Sequence, residues 1–375
     1  MHLLKDPFRP YFILTALVAI FVPMYFVGIL VNDYSINEEL ISSFAWHGHE
    51  MVFGLTSALV TGFLLTASAK WTGKKTFTPA ELLLSLILWI LARVILIAQP
   101  SSTIIMAIVP LPFIYILIKM IIILRGQRNI IPVCLVLSLL TTANYLHLYN
   151  SLQSNQGMVE LSYKVATFSL FILLFIFSGK LITFFSNNKF PQSKISIAPF
   201  INLASIIFSL LSIVLLMLDS KYELYTSIFA AIFLTARTYQ LVSRETMKDP
   251  MLLILNLGHV FLPIYFFLRF IILFNEDFSI GRSDIHAFYA GGLGLITLGM
   301  ITRVSLGHTG RKILASRWMI FAFACTVLGA LLRVFHPIFL GDAINIWLHT
   351  SMGFWTLGFI IYLFNFTKLL FSPRL

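Results

Sequence analysis

Residues 103–124 read TIIMAIVPLPFIYILIKMIIIL, and Lys119 is the only charged side chain in that stretch. A helix needs about 20 mostly apolar residues to cross the hydrocarbon core of a bilayer. The run is continuous rather than alternating, so it indicates a helix and not a strand of a membrane barrel. The stretch therefore predicts a transmembrane helix.

The rest of the chain repeats this pattern. Apolar residues make up 59% of the 375 residues and charged residues only 11%, whereas a soluble domain carries about 25% charged residues. We predict an all-α polytopic membrane protein of about 12 transmembrane helices, forming one transmembrane domain over residues 1–375 without a separate soluble domain. The predicted spans are 11–31, 50–69, 80–98, 103–124, 131–149, 161–185, 196–218, 223–243, 251–274, 283–304, 317–334 and 343–366.

The distribution of charge over the loops predicts the orientation. Cytoplasmic loops of membrane proteins carry an excess of lysine and arginine. With the N-terminus placed inside, all but six of the 26 lysines and arginines fall in inward segments. The outward loops carry mainly acids, which are Asp33, Glu38, Glu39, Glu160, Asp219, Glu276 and Asp277. We therefore predict that both termini are cytoplasmic. Because the net charge of +11 is spread over many loops, it does not indicate a nucleic-acid partner.

Four of the six exceptions lie within predicted spans, near their outward ends. They are Arg93, Arg269, Arg333 and Lys164. Snorkelling of the long side chain to the headgroups explains any single one, but central placement costs roughly 2.5–3.5 kcal/mol each. Arginine binds carboxylates through two parallel hydrogen bonds. We expect these cations to supply the electrostatics of a buried site, for example by binding haem propionates.

Histidines are concentrated at the same predicted depth. Neutral imidazole is the commonest metal ligand, and ionisable groups inside membranes are usually functional. Each histidine taken alone is more often a hydrogen-bonded structural residue. A set donated by spans two, five, ten and twelve instead predicts a buried metal or haem site toward the outer face. The predicted ligands are His47, His49, His147, His286 and His349.

Three further histidines are weaker candidates. His259 lies near the middle of span nine and fits a hydrogen-bonded core histidine equally well. His336 precedes Pro337 in a predicted outward loop, and His308 lies in a predicted inward loop.

Spacing along the helices also predicts neighbours of the ligands. On a regular helix His47 and Glu50 share one face, whereas His49 points about 200° away from His47. Spacing also places Asn144 beside His147 and Tyr289 beside His286, and Trp46 precedes the first pair. Glycines at 291, 292, 294 and 299 leave room for a neighbouring helix or for a flat macrocycle.

Several motifs give the chain a resemblance to a known family. They are FRPYF at 8–12, WHGHEM at 46–51, GFLLT at 62–66, WTG at 71–73, NYLH at 144–147, HA at 286–287 and GMITRVSLGHTGR at 299–311. With these motifs the chain resembles, over essentially its whole length, the NnrS family of bacterial membrane proteins. Two positions depart from the family pattern: Lys180 stands where an arginine is usual, and Asn256 where a histidine is usual.

The resemblance implies a bacterial inner-membrane protein that binds haem and copper and protects cells against nitrosative stress. Its ligand would be nitric oxide or a similar diatomic, and an electron donor would be a further partner beside the lipid bilayer. The family motif also includes the inward Arg303, His308 and Arg311, which the predicted outward site does not explain, and a second role near the cytoplasmic face is left open.

Three functions are consistent with these features. The first is a haem–copper protein that binds nitric oxide, with a nitric oxide reductase-like activity left open. The second is a secondary transporter of a small solute or metal without redox chemistry, which also suits 12 spans. The third is a haem–copper oxidase or reductase subunit, but the adjacent His-His pair and the His-Pro-Glu-Val motif of that class are absent from this sequence.

Overall fold

The fold is described by a computed structural model, which covers residues 2–32, 34, 36, 38–128, 130–275, 281–339 and 344–375. The predicted outward acids Asp33, Glu276 and Asp277 lie outside these residues. Within the described ranges the regular secondary structure is entirely helical. The prediction of an all-α protein is thus confirmed.

Twelve helices of more than two turns make up the described part of the chain, and each coincides with one predicted span. They are α1 (Phe8–Val31), α2 (Ser43–Thr72), α3 (Pro79–Ala98), α4 (Ser102–Ile123), α5 (Ile130–Leu152), α6 (Gln156–Lys189), α7 (Pro199–Met217), α8 (Glu223–Leu241), α9 (Pro250–Phe274), α10 (Ser283–His308), α11 (Arg317–Phe339) and α12 (Ile344–Phe371).

Eleven of these helices are long and apolar enough to cross a membrane. The exception is α8, which was predicted as the eighth span. It carries Glu223 and Arg237 together with several threonines, and these polar groups lower its mean hydropathy. Because α8 buries both charged side chains among other helices, its polarity belongs to the protein interior. The chain is a multi-pass membrane protein, and the orientation of its termini stays a prediction.

Lipid-facing and buried sides are clearly separated on α3. Leu83, Ile87, Ile90, Val94 and Ile97 are all exposed, and their spacing of three or four residues puts them on one face of the helix. The opposite face buries the side chains of Leu82, Ser85, Leu86, Trp89, Ala92 and Leu96. An exposed apolar stripe of this length is the expected surface toward lipid.

The chain divides into two compact units, and each is described here by itself. Unit 1 comprises Met1–Ser169, Val304–Arg311 and Leu363–Leu375, and unit 2 comprises Leu170–Arg303 and Lys312–Tyr362. Three of the four boundaries between the units fall inside α6, α10 and α12, and the fourth lies between α10 and α11.

Unit 1 brings the two ends of the chain together. The buried guanidinium of Arg9 donates hydrogen bonds to the carbonyl oxygens of Leu370 at 2.8 Å and Ser372 at 2.7 Å. The amide of Leu375 donates to the carbonyl of Thr309 at 3.0 Å. The ring of His308 lies 5.4 Å from that of Phe8. The prediction of His308 in a loop was wrong, because α10 continues to this residue and packs against the N-terminal segment.

Close helix contacts in unit 2 depend on glycine. A Cβ atom at Gly329 of α11 would lie 2.6 Å from the backbone nitrogen of Trp355 and 2.9 Å from the carbonyl oxygen of Ser351. Both atoms belong to the backbone of α12, so they cannot move without separating the helices. Small residues that allow such backbone approach are a common device of membrane helix packing.

We expect Gly329→Ala to destabilise the protein by about 1–3 kcal/mol, since overpacking a tight contact shifts the backbone. The matched control is Gly353→Ala on α12, where an added Cβ meets no atom within 4 Å; this change should be neutral or slightly stabilising, because alanine favours helix. Thermal unfolding of both variants in detergent measures the difference. An equal effect of the two substitutions would contradict the packing argument.

Candidate functional site

The candidate site in unit 1 is built around an irregular turn of α2. The helix begins after Ser42, whose side chain accepts a hydrogen bond from the amide of Ala45. It then changes to a π-helical turn over Glu50–Gly54. Such turns are rare and occur frequently at functional sites. Glycine at position 54 leaves space for the Glu50 side chain in this turn, because a Cβ atom there would lie 2.7 Å from a carboxylate oxygen of Glu50.

His49 is fully buried and held at both ring nitrogens. Its Nδ1 lies 3.1 Å from Oε1 of Glu50, and its Nε2 lies 3.0 Å from Nδ2 of Asn144. The amide of Asn144 donates, so Nε2 accepts and the proton of a neutral imidazole is on Nδ1, pointing to the carboxylate. This tautomer is assigned from the network. A carboxylate that orients a histidine in this way is the usual support of a metal ligand.

His147 is the second buried imidazole of the site. Its ring centroid lies 5.3 Å from that of His49, and its Nε2 lies 2.7 Å from the hydroxyl of Tyr163. Phe53 packs against both imidazoles, at 5.3 Å from His49 and 5.6 Å from His147. The prediction that Asn144 and His147 share one face of α5 is confirmed, because both contact His49.

Glu50 forms an ion pair with Arg93 as well as contacting His49. Its Oε2 lies 3.1 Å from Nε of Arg93, and both side chains are largely buried. The guanidinium of Arg93 also stacks over the ring of Trp89 at 5.2 Å. The pair is formally neutral, so it places a negative charge beside His49 without leaving a net charge in the apolar interior.

The two histidines of the WHGHEM motif point to different surroundings, as their spacing predicts. His47 stacks on Phe26 of α1, with ring centroids 4.0 Å apart and planes within 14°, while His49 faces α5. The expectation that Glu50 accompanies His47 was wrong: the carboxylate contacts His49 and Arg93. That expectation assumed a regular helix, whereas the π-helical turn that starts at Glu50 changes the direction of its side chain.

The remaining predicted ligands lie in unit 2. Nδ1 of His286 lies 2.7 Å from the carbonyl oxygen of Arg282, and Tyr289 packs edge-on against Phe288. His349 is half-buried in α12. The structure thus brings together His49 and His147 from the predicted set, and the described residues contain no group of three or more His, Cys, Asp or Glu arranged to hold a metal ion. Trp46 is buried in unit 1, and its indole nitrogen has no hydrogen-bond partner.

Two of the predicted arginines, Arg93 and Arg269, already bind acidic side chains of the protein. Arg269 binds both carboxylate oxygens of Glu223, at 2.8 and 3.0 Å, and reaches Asp284 at 3.2 Å. Arg93 pairs with Glu50, and Lys164 is half-buried in α6. A haem propionate would therefore compete with the protein's own acids at Arg93 and Arg269.

Arg333 has an aromatic partner instead. Its guanidinium stacks over the ring of Trp347 at 4.6 Å, and the ring of His336 stacks on the same indole at 5.6 Å. The prediction of His336 in a loop was wrong, since α11 continues past Pro337 to Phe339.

The glycine face of α10 is filled by side chains. A Cβ at Gly291 would lie 2.1 Å from the ring of Phe261, and one at Gly294 would lie 2.0 Å from the ring of Trp355. Of the two uses that the sequence allows for this face, the structure shows helix packing.

Sequence reasoning missed one group of polar residues in unit 2. Arg237 was assigned to an inward segment, but it is buried and donates to Nε2 of His259 at 2.9 Å. Asn256 and Arg303 are buried nearby in α9 and α10. The available signal was the position of Arg237 well inside the predicted span 223–243.

These features define the class of the protein: a polytopic α-helical membrane protein with a histidine pair and an ion pair buried among its helices. Comparison with protein families matches residues 2–374 to a family described as NnrS protein. The chain belongs to the NnrS family, as the motifs predict. No curated protein matches the chain.

We expect Glu50→Gln to destabilise the protein by about 3–5 kcal/mol, because it leaves the buried charge of Arg93 without its partner. The double variant Glu50→Gln with Arg93→Met should lose less than the sum of the single variants. Glu39→Gln, at an exposed position of the same unit, is the control and should change stability by less than about 0.5 kcal/mol. Additive losses in the thermal unfolding of these variants would show that the pair is not coupled.

Proposed function

We propose that this protein binds haem and copper and acts in the bacterial response to nitric oxide, which it binds. The observation that carries the proposal is the buried pair His49–His147, with Glu50 orienting His49. Two neutral imidazoles 5.3 Å apart in an apolar interior are a suitable donor set for a copper ion. Family membership supports the same assignment.

A metal ion would need one free nitrogen on each imidazole ring. Both ring nitrogens of each imidazole contact polar side chains, which are Glu50 and Asn144 for His49 and Tyr163 and Ser151 for His147. Oδ1 of Asn144 is buried without a hydrogen-bond partner, so the amide has an unused acceptor and its present position is not fully stabilised. A copper ion held by Nε2 of both imidazoles would have to displace Asn144 and Tyr163 from these nitrogens. Glu50 and Arg93 would then keep His49 oriented and the site close to neutral.

His286 and His349 remain the proposed haem ligands in unit 2, with Arg333 as a partner for a propionate. A bound haem would supply the iron that binds nitric oxide, and a bound copper ion would supply a one-electron partner. The protein's own residues would bind and orient these groups and exclude water from them. Reduction of nitric oxide would further require an electron donor.

The test is an optical spectrum and a metal analysis of the protein purified in detergent. We expect a Soret band and bound copper in the parent protein, with copper lost in His49→Ala and His147→Ala. His2→Ala, at the N-terminus outside the helices, is the matched control and should retain both groups. Glu50→Gln removes the carboxylate that orients His49 and should therefore weaken copper binding about 10–100-fold. Absence of both haem and copper from the folded parent protein would refute the proposal.

Addition of nitric oxide to the reduced protein separates binding from turnover. A shifted Soret band without nitrous oxide indicates binding alone, and nitrous oxide formed with reductant indicates a reductase.

We also propose that the protein lies in the inner membrane with both termini in the cytoplasm and the histidine pair toward the outer face. A green fluorescent protein fused after Leu375 should then fluoresce, since it folds in the cytoplasm. An alkaline phosphatase fused at the same position should be inactive. The reverse result would invert the topology and place the pair toward the cytoplasm.

A second candidate is a secondary transporter without redox chemistry. It is favoured by π-helical turns in α2, α6 and α10, because transporters use irregular helices beside buried ionisable groups. Solute flux in proteoliposomes made with metal-free protein would support it.

A further inference from the structure

Unit 2 buries a group of polar side chains that the proposed function does not use. We call it the arginine cluster, and it consists of Arg237 on α8, Asn256 and His259 on α9, and Arg303 on α10. Their exposed fractions are 1%, 2%, 0% and 8%. Arg237 and Arg303 lie in segments predicted to face inward, and His259 lies near the middle of the predicted span nine.

Arg237 has no carboxylate partner. Its three nitrogens donate to Nε2 of His259 at 2.9 Å, to the side chain of Asn202 at 3.2 Å and to the carbonyl of Phe175 at 3.0 Å. Its guanidinium also stacks on the ring of Phe175 at 3.9 Å. All of these partners are neutral, so the positive charge is hydrogen-bonded but not compensated.

Arg303 has fewer hydrogen-bond partners than Arg237. Its guanidinium stacks on the ring of Phe185 at 3.7 Å, but its Nε and one terminal nitrogen have no hydrogen-bond partner. The one acid in electrostatic contact with Arg303 is Asp249, and that carboxylate is already paired with Lys189. Arg303 and Lys189 therefore share one acid.

The unsatisfied polar atoms of the cluster are mostly donors. Because Nε2 of His259 accepts from Arg237, its proton is on Nδ1, and Nδ1 is buried without a partner. Both amide atoms of Asn256 are also buried without partners. Buried polar atoms normally have hydrogen-bond partners, and exceptions require an explanation such as a ligand or ion. A ligand that completes this set must accept several hydrogen bonds and carry negative charge.

Helix packing brings these groups to neighbouring levels. A Cβ at Gly258 would contact Ile296, and one at Gly299 would contact Ile254, so α9 and α10 run antiparallel. Arg303 consequently lies about 12 Å along the axis from the level of His259, and Asn256 lies between them, about 4.5 Å from His259. Arg237, which binds His259, and Arg303, which stacks on Phe185, thus lie on either side of the level of Asn256.

We propose that the arginine cluster is a binding site for a small oxyanion, with Asn256 at its centre and Arg237 and Arg303 supplying the charge. Burying two uncompensated guanidinium groups costs several kcal/mol per ion, and a bound oxyanion removes that cost. Phosphate, nitrate and the phosphate of an anionic lipid headgroup share this chemistry. The inference goes beyond the haem and copper proposal, because none of the four residues is a ligand proposed there except the weak candidate His259.

The test follows the thermal unfolding of the full-length protein in detergent, with sodium phosphate or sodium nitrate compared with sodium chloride at matched ionic strength. The specific oxyanion should raise Tm by about 2–4 °C at roughly ten times its Kd. Mixed micelles with dioleoylphosphatidylglycerol, compared with dioleoylphosphatidylcholine, test the lipid phosphate as the source. Stabilisation by free anions identifies a soluble ligand, and stabilisation by the anionic lipid alone identifies a headgroup.

Two variants connect the response to the cluster. Asn256→Leu removes an amide that has no partner in the protein, so it should leave Tm without anion unchanged or higher while weakening anion binding at least about fivefold. Arg303→Gln should weaken it about tenfold or more. Arg317→Gln, at an exposed position of unit 2, is the matched control and should keep the full response.

Two outcomes would overturn the proposal. One is that neither oxyanion nor anionic lipid stabilises the parent protein beyond its matched control. The other is that Asn256→Leu and Arg303→Gln retain the response of the parent protein. Because neither readout depends on a Soret band or on copper, failure here is distinguishable from failure of the haem and copper proposal.

Discussion

The structure depends on pairing the acidic side chains that it buries in an apolar phase with basic ones. A charged side chain inside a membrane is costly unless another group compensates it. Glu50 with Arg93, and Glu223 and Asp284 with Arg269, meet this requirement inside the protein. These pairs connect α2 with α3 and α8 with α9 and α10, so the same contacts that remove charge also fix which helices are neighbours.

The sequence predicted the helices well, because their signal is a local one. Each apolar run of about 20 residues specifies its own hydrogen bonds, and all 12 predicted spans coincide with helices. Two boundaries were misplaced, at His308 and His336, because both residues lie in helix ends that continue beyond the apolar run. Packing against Phe8 and Trp347 stabilises these ends, and such contacts leave no local signature.

The candidate site was predictable only in part. The histidine depth pattern predicted His49 and His147 together, and Asn144 followed from its spacing to His147. The partner of Glu50 was not predictable, because a π-helical turn redirects a side chain without a recognisable sequence signal. The arginine cluster was missed for a related reason: the positive-inside rule assigns each cation to a loop or a headgroup, and it does not recognise a cation that a helix places in the protein interior.

The hydrogen bonds from Arg9 to Leu370 and Ser372 have a consequence for biosynthesis. Arg9 belongs to α1, and two of its acceptors are the carbonyl groups of Leu370 and Ser372, which are translated much later. Until those residues have been synthesised, the Arg9 guanidinium has Asp6 and water as its hydrogen-bond partners. A nascent or truncated chain that lacks Leu370 and Ser372 therefore carries a cation in α1 that is missing two of its acceptors, so these late contacts complete the packing of an early helix.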